Sequence, residues 1–285
     1  MSEMEKTFVV HGIQDNFRVD GRGCEDYRHM EVETNVVSNA AGSSRLRLAN
    51  TDVLVGVKVE IGDPQIDSPS CGRLEFFLDC SANAAPEFEG RGGEELATAL
   101  CTTLSRAYCH AGCMDLSDLC IISRDKCWIL YIDILLLECG GNLFDAVALA
   151  VKAALFNTRI PNLRVSPCEQ GNEIEVSDDP YDFRRINVIH TPCLVTVNKI
   201  GHCHVVDASM EEETCTLSKL VMGVLDDGRV TVLSKDEGFG SLNPESIFEM
   251  MESGQKVGQE LNASLMAALL KEDKDPVQEC RSFLR

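Results

Sequence analysis

The stretch that most constrains this chain runs from Trp128 to Asn157, WILYIDILLLECGGNLFDAVALAVKAALFN. Trp128 to Leu137 is nearly all apolar, rich in Ile and Leu, and broken only by Asp133. Such a run predicts a central strand covered on both faces. Gly140 and Gly141 supply the backbone freedom for a sharp turn. Asn142 is a good helix N-cap residue, and Asp145 three positions on makes a capping-box-like pair. From Leu143 to Phe156 the predicted helix is apolar on most sides, so it is expected inside the core.

A strand, a glycine turn and a helix start can hold an anion, because free N–H groups and the helix dipole favour negative charge. Here Asn142 and Asp145 can satisfy that end from within, and Asp145 would repel a phosphate. No Lys, Arg, Ser or Thr lies between Leu135 and Ala150 to hold one. The local residues therefore favour a structural turn over a phosphate cradle.

A chain of 285 residues, 44% hydrophobic, can bury one large or two modest cores. Two subdomains are expected, 1–175 and 176–285. No N-terminal apolar run has a basic flank, so no secretory signal is expected. Asp133, Glu138 and Asp145 interrupt the longest apolar runs, so neither is a membrane span. Fourteen cysteines without a signal point to free thiols in a reducing compartment. The net charge of −20 lacks the basic surface of a free-standing nucleic-acid binder. RNA contact, if any, must come from a few arginines or from neighbouring subunits, and an acidic chain suits basic partners.

In chain order, residues 1–16 read as a short helix or arm and 18–23 as a turn-rich loop. His29 to Val37 alternates like a strand. Gly42 to Ala49 and Val53 to Glu60 form a hairpin, with Leu46 and Leu48 on one face and Arg45 and Arg47 on the other. Arg73 to Ser81 is a further strand. After Gly90 to Gly93 comes a helix with Leu96, Leu100, Leu104 and Tyr108 at helical spacing. Leu119 to Ile122 is a short strand, and Asn162 to Val165 closes the first half. Residues 166–185, polar and acidic, mark the subdomain boundary. Strands then follow at Cys193–Asn198, His204–Asp207, Leu217–Leu225 and Arg229–Leu233, the last two joined by the hairpin signal Asp226-Asp227-Gly228. A long helix starts at Asn243-Pro244 and carries Ile247, Met251, Leu261, Leu265 and Leu269 on one stripe. The tail from Lys271 is charged and expected to fray. This order predicts an α+β fold of two βα subdomains, mixed sheets packed against helices.

Several clusters resemble chemistry. His202-Cys203-His204 and Cys109-His110 with Cys113 look metal-like, but neither has a matching ligand pair, so no metal is expected. A cysteine nucleophile needs a nearby base that sequence does not locate. Gly238-Phe239-Gly240-Ser241 lacks the Lys-Ser/Thr ending of a phosphate loop and reads as a plain loop. Glu211-Glu212-Glu213 reads as a solvated turn, since three consecutive acids point in different directions.

Taken together, these stretches closely resemble the RNase PH family over nearly the whole chain. The specific ones are Val19-Asp20-Gly21-Arg22 with Tyr27-Arg28, Gly42-Ser43-Ser44-Arg45, Pro86-Glu87-Phe88, the strand ending in Gly140-Gly141-Asn142, and Val205-Val206-Asp207 before an acidic turn. Gly141 to Ala146 and Ala154 to Thr158 are similar to a subunit type of the eukaryotic RNA exosome core ring, descended from the inactive archaeal ring subunit. The resemblance implies phosphate-dependent 3′-end cleavage of RNA in active members. Those members hold phosphate with a hydroxyl and an arginine after the glycine turn, where this chain carries Asn142 and Leu143. They place an Asp-x-Asp pair where this chain carries Leu217 and Lys219. Where relatives present arginines to RNA, this chain has Thr98, Thr102 and Ser105, with Arg106 the nearest cation.

The resemblance thus implies no catalytic residue, no cofactor and no metal. It implies a non-enzymatic ring subunit supporting 3′-to-5′ RNA processing, including ribosomal RNA maturation. Its partners would be homologous subunits in a hexameric ring, RNA-binding cap subunits, RNA in the central channel and separately attached nucleases. Its setting would be nucleus, nucleolus and cytoplasm. Two alternatives stand beside it: an active phosphate-dependent 3′ exoribonuclease, and a small-molecule α/β enzyme sharing only the fold.

Overall fold

The structure, a computed structural model, describes residues 1–110, 112–168, 171–177, 179, 181–236 and 240–274. The chain opens with α1 (Glu3–Gln14), whose capping box joins Ser2 to Glu5. Next come β1 (Met30–Thr34), β2 (Gly42–Leu48), β3 (Thr51–Gly62), β4 (Arg73–Cys80) and α2 (Glu94–Tyr108). The middle is β5 (Cys120–Ile122), β6 (Lys126–Glu138), α3 (Leu143–Asn157), β7 (Arg159–Pro161), β8 (Leu163–Cys168), β9 (Gly171–Val176) and β10 (Phe183–Arg185). The last part is β11 (Cys193–Ile200), β12 (Cys203–Val206), α4 (Met210–Glu213), β13 (Ser218–Val224), β14 (Val230–Asp236) and α5 (Pro244–Lys274).

The first sheet runs β1-β2-β3-β6-β4, with β5 on β6. It is mixed: β4 lies parallel to β6 and the other pairs are antiparallel. The predicted hairpin is β2–β3; Leu46 and Leu48 are buried, and Arg45 and Arg47 reach Asp52 on the other side. The second sheet, β12-β11-β13-β14, is antiparallel throughout. Gly228 makes its hairpin turn at φ 84°.

Every residue from Leu143 to Leu155 is buried because α3 packs on both sheets, against β2 and β3 on one side and β11 on the other. The central strand departs from expectation. It is not covered on both faces: Leu130, Ile132, Ile134 and Leu136 are buried, but Asp133 is exposed and Tyr131 and Leu135 are only half-buried. An apolar run shows that a strand is buried, not how many layers cover it. Here Phe77 stacks on Tyr131, ring centroids 6.3 Å apart, on the uncovered side.

In α5, Leu261, Leu265 and Leu269 are buried as the spacing predicts. In its first half Ser246, Met250, Gly254 and Gly258 face inward, while Ile247 and Met251 are half-buried. The glycines decide this: a Cβ on Gly258 would lie 2.7 Å from that of Val224, so the bare backbone packs there. The acidic segment 166–185 carries more structure than a linker, since β8 pairs with β9 and β10 returns to β7. Of the expected frayed tail, Lys271 to Lys274 are helical, and 275–285 lie outside the described residues, as do Gly238 and Phe239 of the glycine loop. Among the described residues no helix is long and apolar enough to cross a membrane.

Candidate functional site

The corner after β6 is tight. Gly141 sits at φ 94°, and a Cβ there would meet the Met210 backbone nitrogen at 2.7 Å. Asn142 follows in the left-handed region, φ 56° and ψ 52°, fully buried. The expected side-chain cap is not made. In this conformation the Asn142 amide turns away from the first-turn N–H groups and Nδ2 donates to two carboxylates, Asp145 Oδ2 at 2.9 Å and Asp207 Oδ1 at 2.8 Å. The Asn142 backbone N–H donates instead to Glu213 Oε1 at 3.0 Å, from α4. The position an anion would take at this helix start is filled by a carboxylate of the chain itself.

Three carboxylates thus converge on Asn142, each held differently. Asp145 accepts from Thr196 Oγ1 at 2.7 Å and Tyr27 Oη at 2.7 Å, which ties α3 to β11 and the first loop. Burial pushes its pKa up to about 6, against the pull of those hydrogen bonds. Burial and the Asp145 carboxylate push the Tyr27 hydroxyl well above its ordinary range. For Asp207, burial works upward, but the Arg28 hydrogen bonds and charge win and hold it below the usual carboxylate value. Glu213 Oε1 also lies 3.4 Å from Lys219 Nζ.

The first loop straps this corner shut. Arg28 donates from its N–H (2.7 Å) and Nη2 (2.8 Å) to Asp207, and from Nη1 to Gly140 O (2.8 Å). Arg22 Nη1 reaches Asp207 Oδ2 at 2.9 Å. Arg18, its side chain fully buried, donates from Nε to Glu212 Oε1 at 2.9 Å and from Nη2 to Asp207 O at 2.8 Å. This overturns the solvated-turn reading of Glu211-Glu212-Glu213: only Glu211 is exposed, whereas Glu212 pairs with Arg18 and Glu213 with Asn142 and Lys219. The local signal was Ser209-x-x-Glu212, a capping box that starts α4 and aims Glu212 inward.

Of the residues singled out by resemblance, Leu143 is buried and Leu217 half-exposed. Lys219 lies over the Phe144 ring, 5.2 Å from its centroid. Arg106 is exposed on α2 in a cleft of about 550 Å³, with Thr98, Thr102, Phe144 and Ser234. The structure therefore brings α2, the start of α3 and the second sheet to one cleft. Among the described residues lining it, Arg106 is the one cation, beside Glu94 and Glu95, and Lys219 lies outside that lining, next to Glu213. Among the described residues no group of three or more His, Cys, Asp or Glu could hold a metal ion. In the His202-Cys203-His204 cluster, His204 Nε2 is engaged by Ser246 Oγ at 3.0 Å.

Comparison with known proteins places this geometry. The 3′ exoribonuclease family (RNase PH) matches in two parts, domain 1 at residues 26–161 and domain 2 at residues 190–257. The chain belongs to the RNase PH family. The α+β, RNase PH-like fold expected from sequence is the one observed. A Dictyostelium discoideum protein with the provisional name exosome complex exonuclease RRP42 is 32% identical over 320 residues, spanning 95% of this chain and 98% of that one. The exosome complex component Rrp42 of Thermococcus kodakarensis is 32% identical over 275 residues, spanning 94% and 99%. Among solved structures, a chain of the Archaeoglobus fulgidus exosome with RNA bound to the active site superposes with a TM-score of 0.77 at 30% identity, covering 92% of this chain and 98% of that one. The chain is thus similar along nearly its whole length to RNase PH-family components of exosomes.

Proposed function

We propose that this chain is a non-catalytic subunit of an RNA exosome core ring. The observation that carries the reading is the occupied helix start: Asp145, Asp207 and Glu213 surround Asn142. A phosphate there would have to displace Glu213 from the helix start and would meet the buried carboxylates of Asp145 and Asp207 behind it, while Arg28 and Arg22 are already committed to Asp207 and Lys219 to Glu213. Leu143 is apolar, and Leu217 and Lys219 offer no carboxylate base or divalent-metal ligand. The subunit then acts by assembly. It pairs with homologous RNase PH-like subunits in a hexameric ring, supports RNA-binding caps, and lines part of a channel leading RNA to separately attached nucleases. Its work is RNA processing and decay, ribosomal RNA maturation included, in nucleus, nucleolus and cytoplasm.

The test is phosphorolysis by the purified chain, measured as nucleoside diphosphate released from a 3′-labelled RNA with inorganic phosphate. No release above the no-enzyme control is expected. Phosphate-dependent release abolished by replacing a carboxylate of the corner would overturn the reading. It would favour the exonuclease that the Dictyostelium relative's name describes. Affinity purification from the source cells should recover homologous subunits; a lone homo-oligomer would point instead to a small-molecule enzyme sharing the fold.

Arg106 is the cation this reading assigns to RNA. In the assembled ring, Arg106→Glu should shorten or weaken nuclease protection of threaded RNA without dissociating the ring. Unchanged protection removes Arg106 from the RNA path.

A further inference from the structure

The edge strand β1 and the C-terminal half of α5 border an open groove of about 1050 Å³. Its apolar floor is Met30 and Val32 from β1 and Leu261, Leu265 and Leu269 from α5. Nothing in the charge network of the corner uses this floor.

The backbone of β1 is half satisfied. Among the described residues it pairs with β2 alone. Ala49 N–H donates to His29 O at 3.0 Å and Asn35 N–H to Ser43 O at 2.9 Å. Odd-numbered residues of this strand therefore face β2, and the main-chain groups of Met30, Val32 and Thr34 point outward. At Thr34 the outward N–H is already taken, by Glu272 Oε1 of α5 at 2.9 Å. A side-chain acceptor stands there where a strand's carbonyl would stand. Among the described residues no strand pairs with the Met30 and Val32 rungs on the side of the groove.

Charge narrows the occupant. Glu31 and Glu33 are exposed on the opposite face of β1, across from Arg47 and Arg45 of β2, and Glu25, Asp26, Glu260 and Glu272 rim the groove together with Lys271 and with Arg28, which is held by Asp207. Lys256 is spent on Glu25, at 2.8 Å. A second copy pairing edge to edge would set Glu31 and Glu33 against the same acids, which destabilises a cross-strand pair. A chain with Lys or Arg at those positions gains instead.

We infer that β1 and α5 form a docking site for an extended segment of another protein, in which apolar residues alternate with Lys or Arg. The segment adds a strand to β1 through the Met30 and Val32 rungs. With a period of two, its apolar side chains enter the groove over Leu265 while its basic ones lie beside Glu31 and Glu33. This holds whether or not the corner is catalytic.

The test uses the full chain and a fluorescent seven-residue peptide, Lys and Val alternating, at about 0.15 M salt to screen loose attraction. Two further peptides carry N-methyl groups on the Val nitrogens or on the Lys nitrogens. Charge and side chains are the same in all three, and only one methylated set faces β1. One methylated peptide should therefore bind roughly tenfold more weakly, as expected for losing one or two main-chain hydrogen bonds, and the other about as well as the parent. E31K/E33K should weaken the parent peptide by a similar factor. Equal binding of the two methylated peptides would overturn the proposal, since charge alone would then explain it. So would binding that appears only when residues 275–285 are removed, or a monomer–dimer equilibrium that E31K/E33K strengthens, because the groove would then belong to the chain itself.

Discussion

Glu212→Ala should lower the free energy of unfolding by about 3–5 kcal/mol, the cost of leaving a buried charge without its partner. Arg18 and Glu212 are 194 positions apart and both buried. Without the carboxylate, Arg18 keeps carbonyl acceptors at Val206, Gly23 and Asp207, which hydrogen-bond the guanidinium without neutralising it. The damage spreads, because the Glu212 side chain also accepts from the Ser209 N–H and so holds the start of α4. With α4 loosened, Glu213 no longer reaches Asn142. Urea titration checks this as a lower midpoint at an unchanged slope. Glu211→Ala, one residue earlier and exposed, should stay within about 0.5 kcal/mol. Replacing both partners, Arg18→Met with Glu212→Leu, should cost less than Glu212→Ala alone, since no charge is then stranded. A loss below about 1 kcal/mol for Glu212→Ala would mean that water reaches Arg18.

Asp145 should make stability fall as pH rises through the mildly acidic range. Its pKa is about 6 folded against an ordinary 3.8, a gap of about 2 units worth about 3 kcal/mol by linkage. Between those values the folded protein holds more protons than the unfolded chain. The group therefore favours the fold at low pH, and that advantage is lost as pH climbs past about 6. Asp207, held low by Arg28, acts the other way: its stabilisation is present above its unfolded pKa and lost as pH falls. The whole-protein curve mixes both, so the informative quantity is wild type minus Asp145→Asn. That difference should drop by about 2 kcal/mol from pH 4 to pH 7, most of it below pH 6. A flat difference would mean that Asp145 titrates as if in water. The absolute effect of Asp145→Asn is a separate matter, because its amide donors would face the donors of Asn142.

Much of this fold is legible along the chain. Leu46 and Leu48 alternate with Arg45 and Arg47 and mark β2. The Asp226-Asp227-Gly228 turn joins β13 to β14, and Gly140-Gly141 ends β6. In each case the cause lies within a few residues, in side-chain period or in a required positive φ. The resemblance carried by these stretches led to the family. Asn142, Leu143, Leu217 and Lys219 could also be read in advance as residue types.

Their surroundings were not. Asn142 looked like a cap, because Asn followed three residues later by Asp is a cap pattern. Its left-handed backbone and its bond from N–H to Glu213, 71 residues away, appear only when α4 folds over the turn. The acid run looked solvated because three consecutive acids point in different directions, yet Arg18 meets Glu212 across the molecule. Likewise, an apolar β6 could not reveal that its Tyr131 and Asp133 face lacks a second layer. Sequence by itself determined the elements, their order and the family, since propensity and period act between near neighbours. Tertiary structure alone decided which carboxylates are buried and what neutralises them. A buried charge is stable only beside its partner, and here the partners arrive from the far ends of the chain.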